Sequence, residues 1–447
     1  MRSLAFISGQ IVITMKFIVN NGGKLSGDIR VPGDKSISHR SIMFGSIADG
    51  TSHISGFLEG EDSLNTLRAF KAMGVSIEGP DNGLVVIKGV GMRGLKQPSQ
   101  ALDLGNSGTS MRLLSGLLSG QAFDVELSGD ASLSKRPMER VTKPLASMGA
   151  QVSTAEGGRP PLKISGGAEM HGIEYELPMA SAQVKSCVLL AGLYATGTTC
   201  VTEPAPTRDH TERMLNAFGC TVEKSGSTAC IKGPATLRAC DIDVPADISS
   251  AAFFMVGASI AQGSDIILQH VGINPTRTGV IDILRLMGAD IELLNQSEVG
   301  GEPVADVRVR STALKGIHVP EELVPLAIDE FPVIFVAAAC AEGETIVTGA
   351  EELRVKESDR IQVMADGLQA LGVNARATAD GMVIQGGTIN GGKVHSQDDH
   401  RIAMAFSMAA LRASGTITID DCENVNTSFP DFVGLASTAG LSIQSDS

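Results

Sequence analysis

The residues best suited to chemistry lie in short stretches, each at the start of a helix-like run. Pro32-Gly33-Asp34-Lys35-Ser36-Ile37-Ser38-His39-Arg40 is the sharpest. A helix N-terminus offers unpaired backbone N–H groups and a partial positive charge, both of which suit anions. Lys35 and Arg40 add full charges. Leu104-Gly105-Asn106-Ser107-Gly108-Thr109-Ser110-Met111-Arg112 repeats the design, with glycines that let a ligand approach the backbone. Ser181-Ala182-Gln183 brings a hydroxyl and an amide to a third start, where capping by Ser181 is the simpler role. Further cations stand in Lys135-Arg136-Pro137, Thr207-Arg208-Asp209-His210 and Arg354-Val355-Lys356-Glu357-Ser358-Asp359-Arg360. Lys356 and Arg360 are four apart, which predicts one shared helical face. Asp398-Asp399-His400-Arg401 opens a last helix. Asp329-Glu330 puts acids where the other starts carry hydroxyls or cations, so it reads either as an N-cap or as a base for a hydroxyl.

Several chemistries are excluded or poorly supported. The Gly108 stretch lacks the Gly-Lys-Ser/Thr ending of a Walker loop, no GxGxxG follows a first strand, and no serine sits in a nucleophile elbow. His395, Asp398, Asp399 and His400 have poor spacing for a metal. A net charge of −14 over 447 residues argues against general nucleic-acid binding, although a local cation cluster can still hold a small anion. No apolar run approaches the ~18 residues of a membrane helix. The seven cysteines (187, 200, 220, 230, 240, 340, 422) form no CxxC, which predicts reduced thiols in a cytoplasmic protein.

The elements that position these stretches follow from a repeat. Six times a helix-like run ends in a small or apolar residue plus Gly and turns into a strand, at Gly74, Gly149, Gly219, Gly288, Gly372 and Gly440. The steps are 75, 70, 69, 84 and 68 residues. Each unit has a first helix, predicted over 34–50, 105–120, 180–197, 247–263, 329–343 and 399–415, whose terminal Gly suits a left-handed cap. These helices are apolar nearly all round and are therefore buried, which favours helices inside and sheets outside. The openings Ile29-Arg30-Val31-Pro32-Gly33-Asp34 and Ile242-Asp243-Val244-Pro245-Ala246-Asp247 match in spacing, so the units split three and three. The expected domains are 31–243 and 15–30 plus 244–447, with 1–14 an upstream extension and the crossings at the two prolines acting as a hinge.

Taken together, these stretches resemble the 5-enolpyruvylshikimate-3-phosphate synthase family from about Phe17 to Gly440. They lean towards its second bacterial class. The motifs are Gly-Asp-Lys-Ser-Ile-Ser-His-Arg, Gly-Asn-Ser-Gly-Thr, Ser-Ala-Gln, Arg-Val-Lys-Glu-Ser-Asp-Arg and Asp-His-Arg, in that order. The resemblance implies an inside-out α/β barrel: two similar domains, each of three βαβαββ units with buried helices. It also implies transfer of an enolpyruvyl group from phosphoenolpyruvate to the 5-hydroxyl of shikimate 3-phosphate, with phosphate released. No metal or organic cofactor is implied, and a monomer is expected.

By matching position, Lys35, Gly108, Arg136, Gln183, Arg360 and Arg401 are implied to hold phosphoenolpyruvate. Lys35, Ser36, Arg40, Ser181, Ala182, Gln183, Arg208, Asp329 and Lys356 are implied for shikimate 3-phosphate. Glu357 is the implied proton carrier at the methylene carbon, and Asp329 or Lys35 takes the hydroxyl proton. The domains are expected to stay apart until substrate neutralises the cations, then to close. Two departures stand out. Asn426-Thr427-Ser428-Phe429-Pro430 lacks the Lys some members carry there, and Ala182 replaces a second Ser. Gly108 leaves space that resistant members fill with Ala, so glyphosate is expected to compete with phosphoenolpyruvate. The sister transferase acting on UDP-N-acetylglucosamine is the nearest rival, but 121–135 has no Cys. A non-catalytic anion-binding protein of the same fold is a second, although Lys35, Asp329, Glu357 and Arg401 are all present.

Overall fold

A computed structural model describes residues 5–7, 10–12 and 15–446. Most of the expected 1–14 extension lies outside the described residues. The chain is a mixed α/β fold that groups into two compact units. The N-terminal unit is Gly33–Pro245 together with Glu298–Pro303. The C-terminal unit holds the described residues up to Pro32, Ala246–Ser297 and those from Val304 onward.

In the N-terminal unit the helices are α1 (Lys35–Ile47), α2 (Glu61–Ala72), α3 (Gly108–Ser119), α4 (Glu139–Ser147), α5 (Ala182–Gly192) and α6 (His210–Ala217). In the C-terminal unit they are α7 (Ile248–Ile260), α8 (Gly279–Leu286), α9 (Phe331–Cys340), α10 (Arg360–Ala370), α11 (His400–Ala409) and α12 (Phe432–Ala439). The odd-numbered helices are the buried ones. Every residue of α7 is buried, as are Val184–Gly192 of α5 and Phe331–Ala339 of α9. Helices without a polar face have no side to show water, so they fill the centre of each unit. The even-numbered α4, α6 and α8 have one apolar face.

Each unit has three main sheets. In the strands Arg159–Ser165 and Glu302–Arg310, inward and outward residues largely alternate, as expected for a sheet with one covered face. Five of these six sheets have a parallel strand at one edge, with antiparallel pairing beyond it, and the sixth, of Glu344–Val347, Met382–Gln385 and Asn374–Ala377, is wholly antiparallel. The edge strand for Thr51–Ser55 comes from Ile242–Asp243, at the far end of the N-terminal unit. In the C-terminal unit, Ser26–Ile29 runs parallel to Asp265–Gly272, and Lys16–Val19 is flanked by Ile417–Asp420 and Ile443–Asp446. The two matched openings make matched bonds: Asp34 N–H donates to the Pro245 carbonyl, and Asp247 N–H to the Pro32 carbonyl, at 2.8 and 2.9 Å.

All six glycines of the repeated phrase are left-handed, with φ of 88°, 94°, 82°, 95°, 82° and 115° at Gly74, Gly149, Gly219, Gly288, Gly372 and Gly440. The turn that returns each second helix to its sheet needs that conformation, which a Cβ disfavours. The first helices differ from expectation. Each stops before its predicted terminal Gly, and Gly120 ends α3 at φ −86°, in the right-handed region. Gly415 is not left-handed either, whereas Gly50, Gly197, Gly263 and Gly343 are, as expected, with φ of 110°, 94°, 79° and 93°.

The thiol expectation is corrected. Cys200 and Cys230 are direct partners on the antiparallel strands Gly197–Thr202 and Thr228–Gly233, and they form a disulfide. Sheet register, which chain spacing does not reveal, brings them together, and it removes one ground for a cytoplasmic setting. The other five cysteines are free. No helix among the described residues is long and apolar enough to cross a membrane.

Candidate active site

Within the N-terminal unit, three of the predicted stretches open buried helices. Asp34 caps α1 by accepting from Ile37 N–H at 2.9 Å. Ser107 caps α3 by accepting from Ser110 N–H at 3.1 Å, and Ser181 caps α5 by accepting from Val184 N–H at 3.4 Å. Those caps leave Lys35, Gly108 and Ala182 as the first residues of their helices. Lys35 forms a close ion pair with Asp62 of α2. Ser36 lends its carbonyl to Arg40 Nη1 at 2.9 Å.

Arg40 lies deeper than a surface ligand residue. It is 3% exposed, and it donates from Nε to Thr211 Oγ1 at 2.7 Å and from Nη2 to Ser186 Oγ at 2.9 Å. Burial pulls its pKa down to about 10, against the opposing pull of Glu212 and Asp34. Arg208 is half-buried before α6, close enough to Arg40 to help lower it.

Around Gly108 two guanidiniums converge. A Cβ there would meet Arg136 Nη1 at 3.0 Å and Arg112 Nη1 at 3.1 Å. Arg136 Nη2 donates to Asn106 Oδ1 at 2.6 Å. Arg112 Nη1 donates to Gln183 Oε1 at 2.6 Å, and Gln183 Nε2 donates to Thr109 Oγ1 at 3.0 Å. Gln183 is thereby oriented by both ends of its amide. In the sequence Arg112 stands only at the end of the Gly108 motif. Its spacing of four from Gly108 on a helix start was the available signal, because it sets both on one face.

Beneath this surface lies a hydroxyl network that the sequence did not suggest. His39 Nδ1 is 2.8 Å from Thr66 Oγ1 and 3.3 Å from Ser110 Oγ, linking α1, α2 and α3. Burial first, then Lys35 and Arg40, hold the His39 pKa well below its ordinary value, so the ring is neutral.

The C-terminal unit gathers the carboxylates. Asp329 is not the cap of α9, which begins at Phe331 after Glu330. Its side chain instead meets three cations: Arg360 Nη1 at 3.3 Å, Lys356 Nζ at 3.6 Å and Arg401 Nη2 at 4.0 Å. Arg401 Nη1 also donates to the Asp329 carbonyl at 3.1 Å. Arg360 is 1% exposed and sits below the others. Its Nε donates to Asp399 Oδ2 at 2.8 Å and its Nη2 to Glu357 Oε2 at 2.6 Å. Burial alone would lower the Arg360 pKa, but Asp399, Glu357 and Asp329 outweigh it and raise it.

The expected helical face shared by Lys356 and Arg360 is corrected. Lys356 ends a short 3₁₀ turn, Glu351–Val355, and α10 starts only at Arg360. The two cations converge because both reach Asp329 Oδ1, not because of helical spacing. Asp399 caps α11 through Arg401 N–H at 3.0 Å while binding Arg360, so one carboxylate orients two of the predicted residues. Among the described residues no group of three or more His, Cys, Asp or Glu is arranged to hold a metal.

One cluster is rich in cations at helix starts, and the other sets carboxylates among cations. A protein so built handles small, multiply charged anions and can move protons beside them. The comparisons agree. Residues 19–435 match the family model described as EPSP synthase (3-phosphoshikimate 1-carboxyvinyltransferase). The 3-phosphoshikimate 1-carboxyvinyltransferase of Methylococcus capsulatus is 67% identical over 428 residues, covering 96% of this chain and 98% of that protein. That of Alkalilimnicola ehrlichii is 67% identical over 430 residues, 96% of each chain. A solved structure of EPSP synthase from Acinetobacter baumannii superposes with a TM-score of 0.88 at 60% identity, covering 97% of this chain and 100% of that one. The chain belongs to the EPSP synthase family.

Proposed function

We propose that this chain is a working 3-phosphoshikimate 1-carboxyvinyltransferase. It transfers the enolpyruvyl group of phosphoenolpyruvate to the 5-hydroxyl of shikimate 3-phosphate. The observation that carries this reading is the Asp329 cluster: two carboxylates, Asp329 and Glu357, held by cations at 2.6–4.0 Å. Addition requires a base for the hydroxyl proton and an acid for the methylene carbon, and elimination reverses the second transfer.

In the addition step the 5-oxygen bonds to C2 of phosphoenolpyruvate while C3 gains a proton from Glu357. Asp329 or Lys35 takes the hydroxyl proton. In the elimination step Glu357 recovers a proton from the new methyl group as the C2–O bond to phosphate breaks. Lys35, Gly108, Arg136, Gln183, Arg360 and Arg401 hold phosphoenolpyruvate. Lys35, Ser36, Arg40, Ser181, Ala182, Gln183, Arg208, Asp329 and Lys356 hold shikimate 3-phosphate. The depth of Arg40 and Arg360 supports a share exercised largely through charge and through the residues they orient. Arg360 orients the Glu357 carboxylate through their 2.6 Å ion pair.

Each unit is proposed to be an inside-out α/β barrel, supported by the buried odd-numbered helices and the one-faced strands. The enzyme is proposed to act as a monomer. Glyphosate is proposed to compete with phosphoenolpyruvate beside Gly108. A Cβ at that position would press on Arg112 and Arg136, so Gly108→Ala is expected to weaken inhibition. Turnover unaffected by millimolar glyphosate in the unaltered enzyme would end that part of the proposal.

The deciding experiment is phosphate release from phosphoenolpyruvate with shikimate 3-phosphate, and separately with UDP-N-acetylglucosamine. Release with the first acceptor alone is expected. Release with the sugar nucleotide would move the chain to the sister reaction, and release with neither would leave a binding protein.

A further inference from the structure

Next to Asp329 lies Glu330, a carboxylate without a role in the assignments above. It is 2% exposed and occupies the cap position of α9 without making a capping bond. Its Oε1 accepts a short hydrogen bond from Ser249 Oγ in the first turn of α7. The same oxygen lies 3.8 Å from Arg277 Nη2 and 3.9 Å from Arg401 Nη1. Its Oε2 is buried with no hydrogen-bond partner among the described residues. Arg277 is itself buried, and its Nη2 donates to Ser249 Oγ at 2.7 Å and to Asp247 Oδ1 at 3.1 Å. Charge therefore alternates along one path: Asp247, Arg277, Glu330, Arg401, Asp329.

A buried carboxylate is costly unless cations compensate it. Glu330 has two within ion-pair range, and only Arg401 of the two reaches solvent, at 13% side-chain exposure against 4% for Arg277. At 3.9 Å the contact with Arg401 is coulombic and not a hydrogen bond. It restrains the guanidinium without consuming the N–H donors that a phosphate or carboxylate would need. We propose that Glu330 is a positioning residue for phosphoenolpyruvate binding. It holds the Arg401 guanidinium in its binding orientation, and Ser249 and Arg277 lock the Glu330 carboxylate in turn. This rests on the assignment of Arg401 to phosphoenolpyruvate.

The test is Glu330→Gln in the full-length enzyme, with KM for each substrate, kcat and the melting temperature measured together. KM for phosphoenolpyruvate is expected to rise roughly tenfold, while KM for shikimate 3-phosphate stays within about twofold, in line with losing an orienting outer partner. Glu330→Asp keeps the charge and is expected to recover part of the loss. Ser249→Ala leaves the carboxylate but unlocks it, and is expected to shift the same KM less far. It also serves if Glu330→Gln does not fold. An unchanged KM for phosphoenolpyruvate in the soluble variants overturns the proposal. So does a parallel rise in both KM values that tracks a falling melting temperature. Arg401→Ala is the control: if it spares phosphoenolpyruvate binding, the assignment of Arg401 fails, and not merely the role of Glu330.

Discussion

Arg401 is the residue whose removal is most informative. It has a backbone acceptor at 3.1 Å and looser ion pairs at 3.9 and 4.0 Å, so its charge is available to an incoming anion. Arg401→Ala is expected to remove a charge-assisted contact of about 1.5–3 kcal/mol and to weaken phosphoenolpyruvate binding at least roughly tenfold. Titration calorimetry checks this. His39 supports a prediction of another kind. Its folded pKa is held below the ordinary 6.5, so between those values the unfolded chain binds more protons than the native one. The His39 contribution to stability is therefore complete above pH 6.5 and is lost as pH falls below it. His39→Asn is expected to flatten this acid-side loss. Melting temperatures of variant and parent should converge as pH is lowered from about 7.5 to about 5.5. Parallel decline of the two would rule it out.

At the scale of elements, the buried helices depend on close contact. Where α3 crosses α5, a Cβ on Gly116 would fall on the Cys187 carbonyl, a backbone atom that cannot swing aside. Gly116→Ala is expected to destabilise the N-terminal unit by about 1–3 kcal/mol, the usual cost of overpacking. A urea midpoint equal to that of the parent would mean that the helices pack less tightly. The same contact bears on function, since α3 carries Gly108 and Arg112 while α5 carries Gln183, and the Arg112–Gln183 bond spans them. Loss of stability in this variant should therefore come with weaker phosphoenolpyruvate binding.

For the whole molecule, each unit encloses its own apolar core. Phe44, Leu114 and Leu189 belong to one, and Phe254, Phe335 and Phe406 to the other. Two cores in one chain predict unfolding that is not two-state, with a van 't Hoff enthalpy below the calorimetric one. Scanning calorimetry decides this, and equality of the two enthalpies would show a single cooperative unit. The hairpin tip Glu298–Pro303 belongs to the N-terminal unit, through Arg213 Nη1 to the Gly301 carbonyl and His210 Nδ1 to Glu302 Oε1, both at 2.8 Å. Nothing in the local sequence marked that grouping.

The sequence by itself determined what acts over a few residues. Caps at Asp34, Ser107, Ser181 and Asp399, left-handed glycines after the second helices, and apolar helices with no polar face all follow from local sterics, capping and composition. The six-fold phrase was legible for that reason, whereas the site residues were implied only by the resemblance of their motifs to a known family. Tertiary structure decided which side chains meet. Asp329 faces cations 27, 31 and 72 residues away, and Glu330 faces Ser249, 81 residues before it. Local preference contains no term for such distances. Sheet pairing and helix burial set them, and the same pairing joined Cys200 to Cys230, drew Arg112 onto Gln183 and put Asp329, which the sequence left open as a cap or a base, at the centre of three positive charges.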